Sequence, residues 1–247
     1  MDVHLAERRI SKHPLTRLPD GRAPERVTLT GRTVQLLPID PALHTASLYQ
    51  ATHSDDAGTR VWDYLAYGPF ADLAAMQAWA EKCASSTDPI FLTVFDLDSQ
   101  RAGGIISLMS IEPAHGSIEI GHIWFAPFLQ NTRQSSEALF LAMHYCLETL
   151  QYRRLEWKCD AMNQASRQAA ARLGFGYEGT FFQHRVVKGR NRDTAWFSIL
   201  DSEWPRIRAN FEAWLDDANF DANGRARTSL GAANRALRMH REVPDGW

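Results

Sequence analysis

The spacing of apolar side chains changes along the chain, and each change marks an element. Residues 33–39 form a β-prone run closed by Pro38 and Pro41, and residues 42–53 follow as a helix. After Asp72, a good N-cap, Leu73, Met76, Ala80 and Cys83 recur at i, i+3, i+7 and i+10, which draws one apolar stripe along a second helix. Three strand-like runs come next, 90–97, 103–111 and 117–125, divided by the turns Asp98-Ser99-Gln100-Arg101 and Pro113-Ala114-His115-Gly116. Such short turns predict a meander. Leu139, Met143, Cys146 and Leu150 then mark a helix that begins near Ser135, and residues 155–159 a short strand. Ala165, Ala169 and Leu173 mark another helix, stopped by Gly174. Runs 180–187 and 194–200 make a hairpin around Lys188-Gly189-Arg190-Asn191, and a helix over 203–215 carries Trp204, Phe211 and Trp214 to pack back on the body. The order β-α-α-β-β-β-α-β-α-β-β predicts a mixed α/β fold, one mixed sheet with helices on both faces.

Around this body, residues 1–30 carry Pro14, Pro19 and Pro24 with dispersed charge and no periodicity, and read as an extended arm. Residues 31–217 are the domain, and 218–247 are expected to be a polar, flexible tail. With 45% hydrophobic and 23% charged residues the composition is that of an ordinary globular protein. No apolar run approaches the roughly 20 residues needed to cross a bilayer, and no apolar signal segment follows the N-terminal charges, so a cytoplasmic protein without membrane contact is expected. The three cysteines, Cys83, Cys146 and Cys159, are scattered, which argues against a disulfide framework and a zinc site; no metal is expected. Residues 31–217 hold 16 basic and 22 acidic residues. This mildly acidic body disfavours nucleic acid and suits a cationic amine.

Candidate chemistry concentrates in a few segments. Gln130-Asn131-Thr132-Arg133-Gln134-Ser135-Ser136 joins a strand to a helix, and such a junction directs free backbone N–H groups outward, where an anion can dock. Downstream stand Asn163-Gln164-Ala165-Ser166 and Leu173-Gly174-Phe175; upstream stands Glu119-Ile120-Gly121-His122; later comes Arg192-Asp193-Thr194-Ala195-Trp196-Phe197. In residues, order and spacing these resemble the acyl-CoA-binding core of the GNAT N-acetyltransferases, in the branch that contains the ribosomal-protein alanine N-acetyltransferases. The resemblance covers roughly residues 33–204.

That resemblance implies a GNAT-like fold, a central mixed but largely antiparallel sheet, and an N-acetyltransferase using acetyl-CoA as cosubstrate by direct attack. It places the pyrophosphate loop at Gln130, Asn131, Thr132, Arg133, Gln134, Ser135 and Ser136. The chain departs from the family pattern there, because Arg133 and Ser135 stand where the loop usually has glycine. Backbone amides of Arg133, Gln134 and Ser135 remain as phosphate donors, and Arg133 adds a cation. Glu119 matches the family's general base and His122 is the second candidate. One extra residue between Gly121 and Pro127 fits a β-bulge, across which these two side chains can converge. Ile123, Trp124 and Phe125 are then the expected amides for an oxyanion and for the pantetheine arm. The family tyrosine seven residues after Asn163 is replaced by Ala170, so the thiolate partner implied by the branch is Ser166, with Asn163 holding pantetheine. Trp62, Tyr64, Tyr67, Phe182 and His184 are the expected acceptor-binding residues. The acceptor is a protein N-terminal α-amine or a small amine such as an aminoacyl nucleotide or polyamine. A succinyl-CoA-dependent enzyme and a silent acyl-CoA-binding module remain as alternatives, and the assembly as monomer or homodimer.

Overall fold

The structure, a computed structural model, describes residues 14–15 and 22–237. Eight strands form one sheet in the order β1-β2-β3-β4-β5-β6-β8-β7. They are β1 (Leu29–Thr30), β2 (Val34–Pro38), β3 (Ile90–Asp96), β4 (Arg101–Glu112), β5 (Ser117–Phe125), β6 (Arg154–Asp160), β7 (Gly176–Val187) and β8 (Arg190–Leu200). Every neighbouring pair is antiparallel except β5 and β6. The fold is therefore the mixed, largely antiparallel α/β architecture expected.

Helices cover both faces. One face carries α1 (Pro41–His53), the short α2 (Asp56–Thr59) and α3 (Leu73–Ser85); the other carries α4 (Arg133–His144), α5 (Gln164–Leu173), α6 (Trp204–Leu215) and α7 (Leu230–Ala236). Local chemistry starts each helix. Asp40 caps α1 by accepting from the amides of Ala42 and Leu43 at 2.9 and 3.1 Å, while Pro41 takes the first helical position, where its missing N–H is harmless. Asp72 caps α3 through the Ala75 amide at 2.8 Å. Gly174 ends α5 at φ +102°, and a Cβ there would lie 3.0 Å from Ile207 of α6, so both conformation and space select glycine.

Two cores result. The larger joins Ile118, Ile120, Leu155 and Trp157 of the sheet to Leu139 and Met143 of α4, Leu173 of α5 and Phe211 of α6. The smaller joins Leu48 of α1 and Met76 and Ala80 of α3 to Phe91, Ile105 and Trp124. Side chains so fully buried contribute about 1.5–3 kcal/mol each.

Several boundaries differ from expectation. The arm is not extended to its end: Leu29–Thr30 pairs with Leu36 and Gln35, and Val27 and Leu29 pack on the larger core. Residues 218–237 are packed rather than loose. Asn219 is buried, donates to the Trp214 carbonyl at 2.7 Å and accepts from Thr228, while Leu230 of α7 is 2% exposed. Polar residues there satisfy one another inside the fold, which composition cannot reveal. The remaining parts of the arm and tail, residues 1–13, 16–21 and 238–247, lie outside the described residues. The helix expected near Ser135 begins at Arg133 and passes into a π-helical turn, Tyr145–Thr149, that carries Cys146. The final hairpin turns on two residues only, Lys188 and Gly189, at φ +48° and +73°, as a right-twisted hairpin prefers.

Candidate active site

The parallel pair β5 and β6 is where the sheet opens. Pairing is confined to Ser117↔Arg154, Ile118↔Leu155 and Glu119↔Glu156. Beyond Glu119 the two strands part, and their C-terminal ends bound a gap at the point where strand direction reverses, the usual place for a ligand in such sheets. β5 is also bulged there: Ser107 faces Gly121 but Ile105 faces Trp124, so β5 carries one extra residue, and His122 takes φ +50°. The Ala126 amide donates to the Gly103 carbonyl at 2.7 Å. Alternation then directs the peptide groups of Trp124 to β4 and those of Ile123 and Phe125 to the gap. Of the three amides expected for the ligand, two face it.

The bulge brings Glu119 and His122 to one face of the sheet, in different settings. Glu119 is 5% exposed; its Oε2 accepts from Lys158 Nζ at 2.8 Å and from Ser110 Oγ at 3.1 Å. Oε1 lies beside Gly121, where a Cβ would come within 3.5 Å of it. Lys158 also bonds Glu156 at 2.8 Å and stands 4.1 Å above the Trp196 ring. Burial opposes ionisation of Glu156, but its bonds to Lys158 and Arg154 prevail and hold it below its ordinary pKa. His122 lies between rings: its centroid is 5.5 Å from Tyr67 and 5.1 Å from Phe91, with Nδ1 3.2 Å from the Tyr67 hydroxyl. Burial, then the charge of Arg192, lowers the His122 pKa to about 4, so the ring is neutral near pH 7. Lys158 was not foreseen; alternation along the 155–159 run would have placed it on the Glu119 face.

At the other end of β5, the loop before α4 solves its missing glycines differently from the family pattern. Asn131 takes the left-handed conformation, φ +59°, which asparagine tolerates best after glycine. Thr132 caps α4 by accepting from the Ser135 amide at 3.2 Å, so that amide is engaged, while those of Arg133 and Gln134 stand in the first turn with no preceding helical carbonyl. The side chains are engaged too. Arg133 donates to the Leu215 carbonyl and to Asp217, 2.6 Å away, and stacks 4.5 Å from the Phe220 ring, so the expected cation is held by the C-terminal segment. Ser135 and Ser136 hydroxyls donate to the Thr132 carbonyl, Ser136 also accepts from Arg172, and the Gln130 amide group donates to the Phe125 carbonyl. What this end of the gap offers an anion is backbone.

Asn163 caps α5 through the Ser166 amide at 3.0 Å. The Ser166 hydroxyl accepts from the Trp157 indole N–H at 3.0 Å, which polarises its own O–H as a donor. It borders Cys159, whose pKa burial pushes up.

Over the gap lies the connection between α1 and α3. His53 Nε2 accepts the Phe70 amide at 3.0 Å, which fixes a neutral ring; burial lowers its pKa to match. Trp62 is fully buried, 4.9 Å from Trp124 and 6.0 Å from Tyr67, and Gly68, at φ +64°, lies on its face where a Cβ would meet it at 2.6 Å. Two bonds tie this connection across the gap: Lys188 Nζ to the Trp62 carbonyl, 2.8 Å, and the Tyr64 hydroxyl to the Met162 carbonyl, 3.3 Å. From the opposite side come Phe181, 4.8 Å from Trp196, and His184, whose Nδ1 is 3.0 Å from Thr194 Oγ1. Phe182 is 75% exposed on the hairpin rather than in the gap. Five groups expected at the acceptor side thus divide into Trp62 and Tyr67 in a packed aromatic layer, Tyr64 and His184 at the rim, and Phe182 outside.

An opened parallel pair, a bulged strand with two outward-facing amides and a helix start whose Arg133 and Gln134 amides have no helical carbonyl lie together at this gap. Residues 34–176 match the Acetyltransferase (GNAT) domain, and the chain belongs to that family of acetyltransferases. The ribosomal-protein-serine acetyltransferase of Escherichia coli (strain K12) is 33% identical over 101 residues, 40% of this chain. The chain spans 56% of the length of that curated relative. The crystal structure of a GCN5-related N-acetyltransferase from Brucella melitensis is 42% identical with a TM-score of 0.86, covering 89% of this chain and 99% of that one. Microcin C7 self immunity acetyltransferase MccE, solved in complex with acetyl-CoA and AMP, shares the fold at 18% identity, covering 69% of this chain and 93% of its own, with a TM-score of 0.61.

Proposed function

We propose that this protein transfers an acetyl group from acetyl-CoA to the α-amine of a protein or peptide N-terminus. The observation that carries the reading is the gap beyond Glu119, with a carboxylate at its closed end and two amides along one side. Acetyl-CoA supplies the thioester carbon that the amine attacks. The α4 start holds its pyrophosphate through the Arg133 and Gln134 amides, and Ile123 and Phe125 hold the pantetheine arm and the carbonyl oxygen. Glu119, through Oε1, takes the proton of the attacking amine directly or through water, since Oε2 is already engaged. The Ser166 O–H, sharpened by Trp157, hydrogen-bonds the departing sulfur in place of the tyrosine that Ala170 replaces. A protein acceptor is favoured by the name of the curated relative, a ribosomal-protein-serine acetyltransferase, and by an acceptor side roofed with aromatic groups.

The test has two parts. Acetyl-CoA at a hundredfold excess over Kd stabilises the folded protein by about 2.7 kcal/mol, read as a rise in Tm, and CoA release depends on a peptide whose α-amine gains the mass of an acetyl group. No Tm shift with millimolar acetyl-CoA, succinyl-CoA or free CoA sinks the reading; modification at lysine only replaces the acceptor.

A further inference from the structure

The acceptor face contains a cation, Arg192, whose buried Nε has no hydrogen-bond partner among the described residues. Arg192 stands near the start of β8, opposite Arg185 of β7. Ala195, Phe197 and Ile199 point into the larger core, so alternation turns Arg192, Thr194 and Trp196 to the opposite face, that of Glu119 and Lys158. Arg192 Nε and Trp196 Nε1 are both buried without a hydrogen-bond partner among the described residues. Lys158 differs, being matched by Glu119 and Glu156. Buried donors left empty in a folded protein are costly and call for an explanation. The charges acting on nearby His184 are all positive: after burial, Arg185, Arg192 and Lys158 each lower its pKa. The thiolate end of the gap already has a donor in Ser166, toward α5.

We propose that Arg192 receives an oxyanion carried by the acceptor, so that the substrate is an amine with an acidic group close behind it. This rests on the reading of the Glu119 face as the acceptor side. The guanidinium fork suits a carboxylate or a phosphate, and Trp196 Nε1 adds a donor beside it. The four residue steps of β8 from Arg192 to Trp196 span about 13 Å, and Trp196 adjoins Lys158 and through it Glu119. For an extended peptide that distance puts the acidic group within the first few residues. The mildly acidic body of the chain, which suits a cationic amine, therefore contains a basic subsite for the group next to that amine.

The experiment measures kcat and KM by CoA release at saturating acetyl-CoA, alongside calorimetric Kd for acetyl-CoA, in wild type, Arg192→Gln and Arg192→Lys. The acceptors are hexapeptides differing only by Asp or Asn at positions 2 and 3, serine against serinamide, and phosphoethanolamine against ethanolamine. We expect the acid of at least one pair to be preferred by about tenfold or more, chiefly in KM, as one charge-assisted contact predicts. Arg192→Gln brings the acid down to the level of its neutral twin, Arg192→Lys keeps part of the preference, and acetyl-CoA affinity holds in both. The pair that responds tells a peptide carboxylate from a free carboxylate or a phosphate. Equal use of acid and neutral twin in every pair overturns the inference, as does a preference that survives Arg192→Gln, or no turnover of any acceptor by protein that binds acetyl-CoA. Failure to bind acetyl-CoA strikes instead at the proposed function.

Discussion

The two sides of the gap treat their polar groups in opposite ways. Around the α4 start, Gln130, Thr132, Arg133, Ser135 and Ser136 all have side-chain partners inside the protein, and what remains for a ligand is the main chain. Across the sheet opening, Arg192 Nε and Trp196 Nε1 are buried with no partner among the described residues; Arg133 Nε is unpaired as well, but its guanidinium is held through Nη2 by Leu215 and Asp217. A ligand held by peptide groups can be recognised whatever side chains the loop carries, which accommodates Arg133 and Ser135 where the resemblance leads one to expect glycine. A ligand held by side chains can change with two substitutions. The difference fits a constant cosubstrate on one side and a selected acceptor on the other.

Glu119 stands at the last paired position before the strands part, on the proposed acceptor side. Glu119→Gln keeps the shape and the Ser110 contact but removes the proton acceptor, so kcat/KM is expected to fall by roughly 10²–10⁴-fold. Acetyl-CoA affinity, read by calorimetry, should stay within a factor of about three, since the two sides are separate. A variant that loses both together would break the division, and full activity at pH 7 would move the base to His122.

Two substitutions at one position sharpen the claim that the cosubstrate is read by backbone. Arg133 is the first residue of α4, where proline is welcome, and Thr132 before it is extended (φ −102°, ψ 168°), as a pre-proline residue should be. Arg133→Pro deletes the amide donor; Arg133→Ala deletes only the side chain. The proline variant should weaken acetyl-CoA binding by about 10- to 100-fold, the value of a hydrogen bond to a charged group, and the alanine variant by less than about threefold. Equal losses would return the phosphate contact to the guanidinium despite its bonds to Asp217 and Leu215.

Much of this molecule could be read from periodicity and turn chemistry, and the exceptions share a cause. The stripe after Asp72, the meander and the Gly174 stop are local patterns, and all appear in the fold. The bulge at His122 was legible from one surplus residue. By contrast, the fate of Arg133 depends on Asp217, 84 positions away, and Lys158 acquires meaning only when β6 lies beside β5. Residues 218–237 pack against expectation for the same reason: Asn219, Asn234 and Thr228 look like solvated polar residues until their partners at Trp214, Arg172 and Asn210 are in place. Arg192 was noticed as part of a resemblance rather than as a group that needs a counter-ion. What a polar side chain does follows from its long-range neighbours, which one sequence does not give.

The smallest expected effect lies where the two sides meet, at His122. Burial between Tyr67 and Phe91 comes first in depressing its pKa, and Arg192 adds to it, so the folded protein holds this ring neutral down to about pH 4 while the unfolded chain protonates near 6.5. Between those values the unfolded state binds more protons. Stability from this group is therefore complete above about pH 6.5 and is lost as pH falls toward 4, by about 2 kcal/mol between pH 7 and 5. Urea unfolding of wild type and His122→Gln at the two pH values isolates the contribution as the difference between the pH slopes, since other titrating groups are common to both proteins. Arg192→Gln, which leaves burial but removes the nearby cation, should give an intermediate slope. A slope unchanged by Arg192→Gln would show that the guanidinium field does not reach the β5 bulge, and would push the acidic group of the acceptor further from the reacting amine.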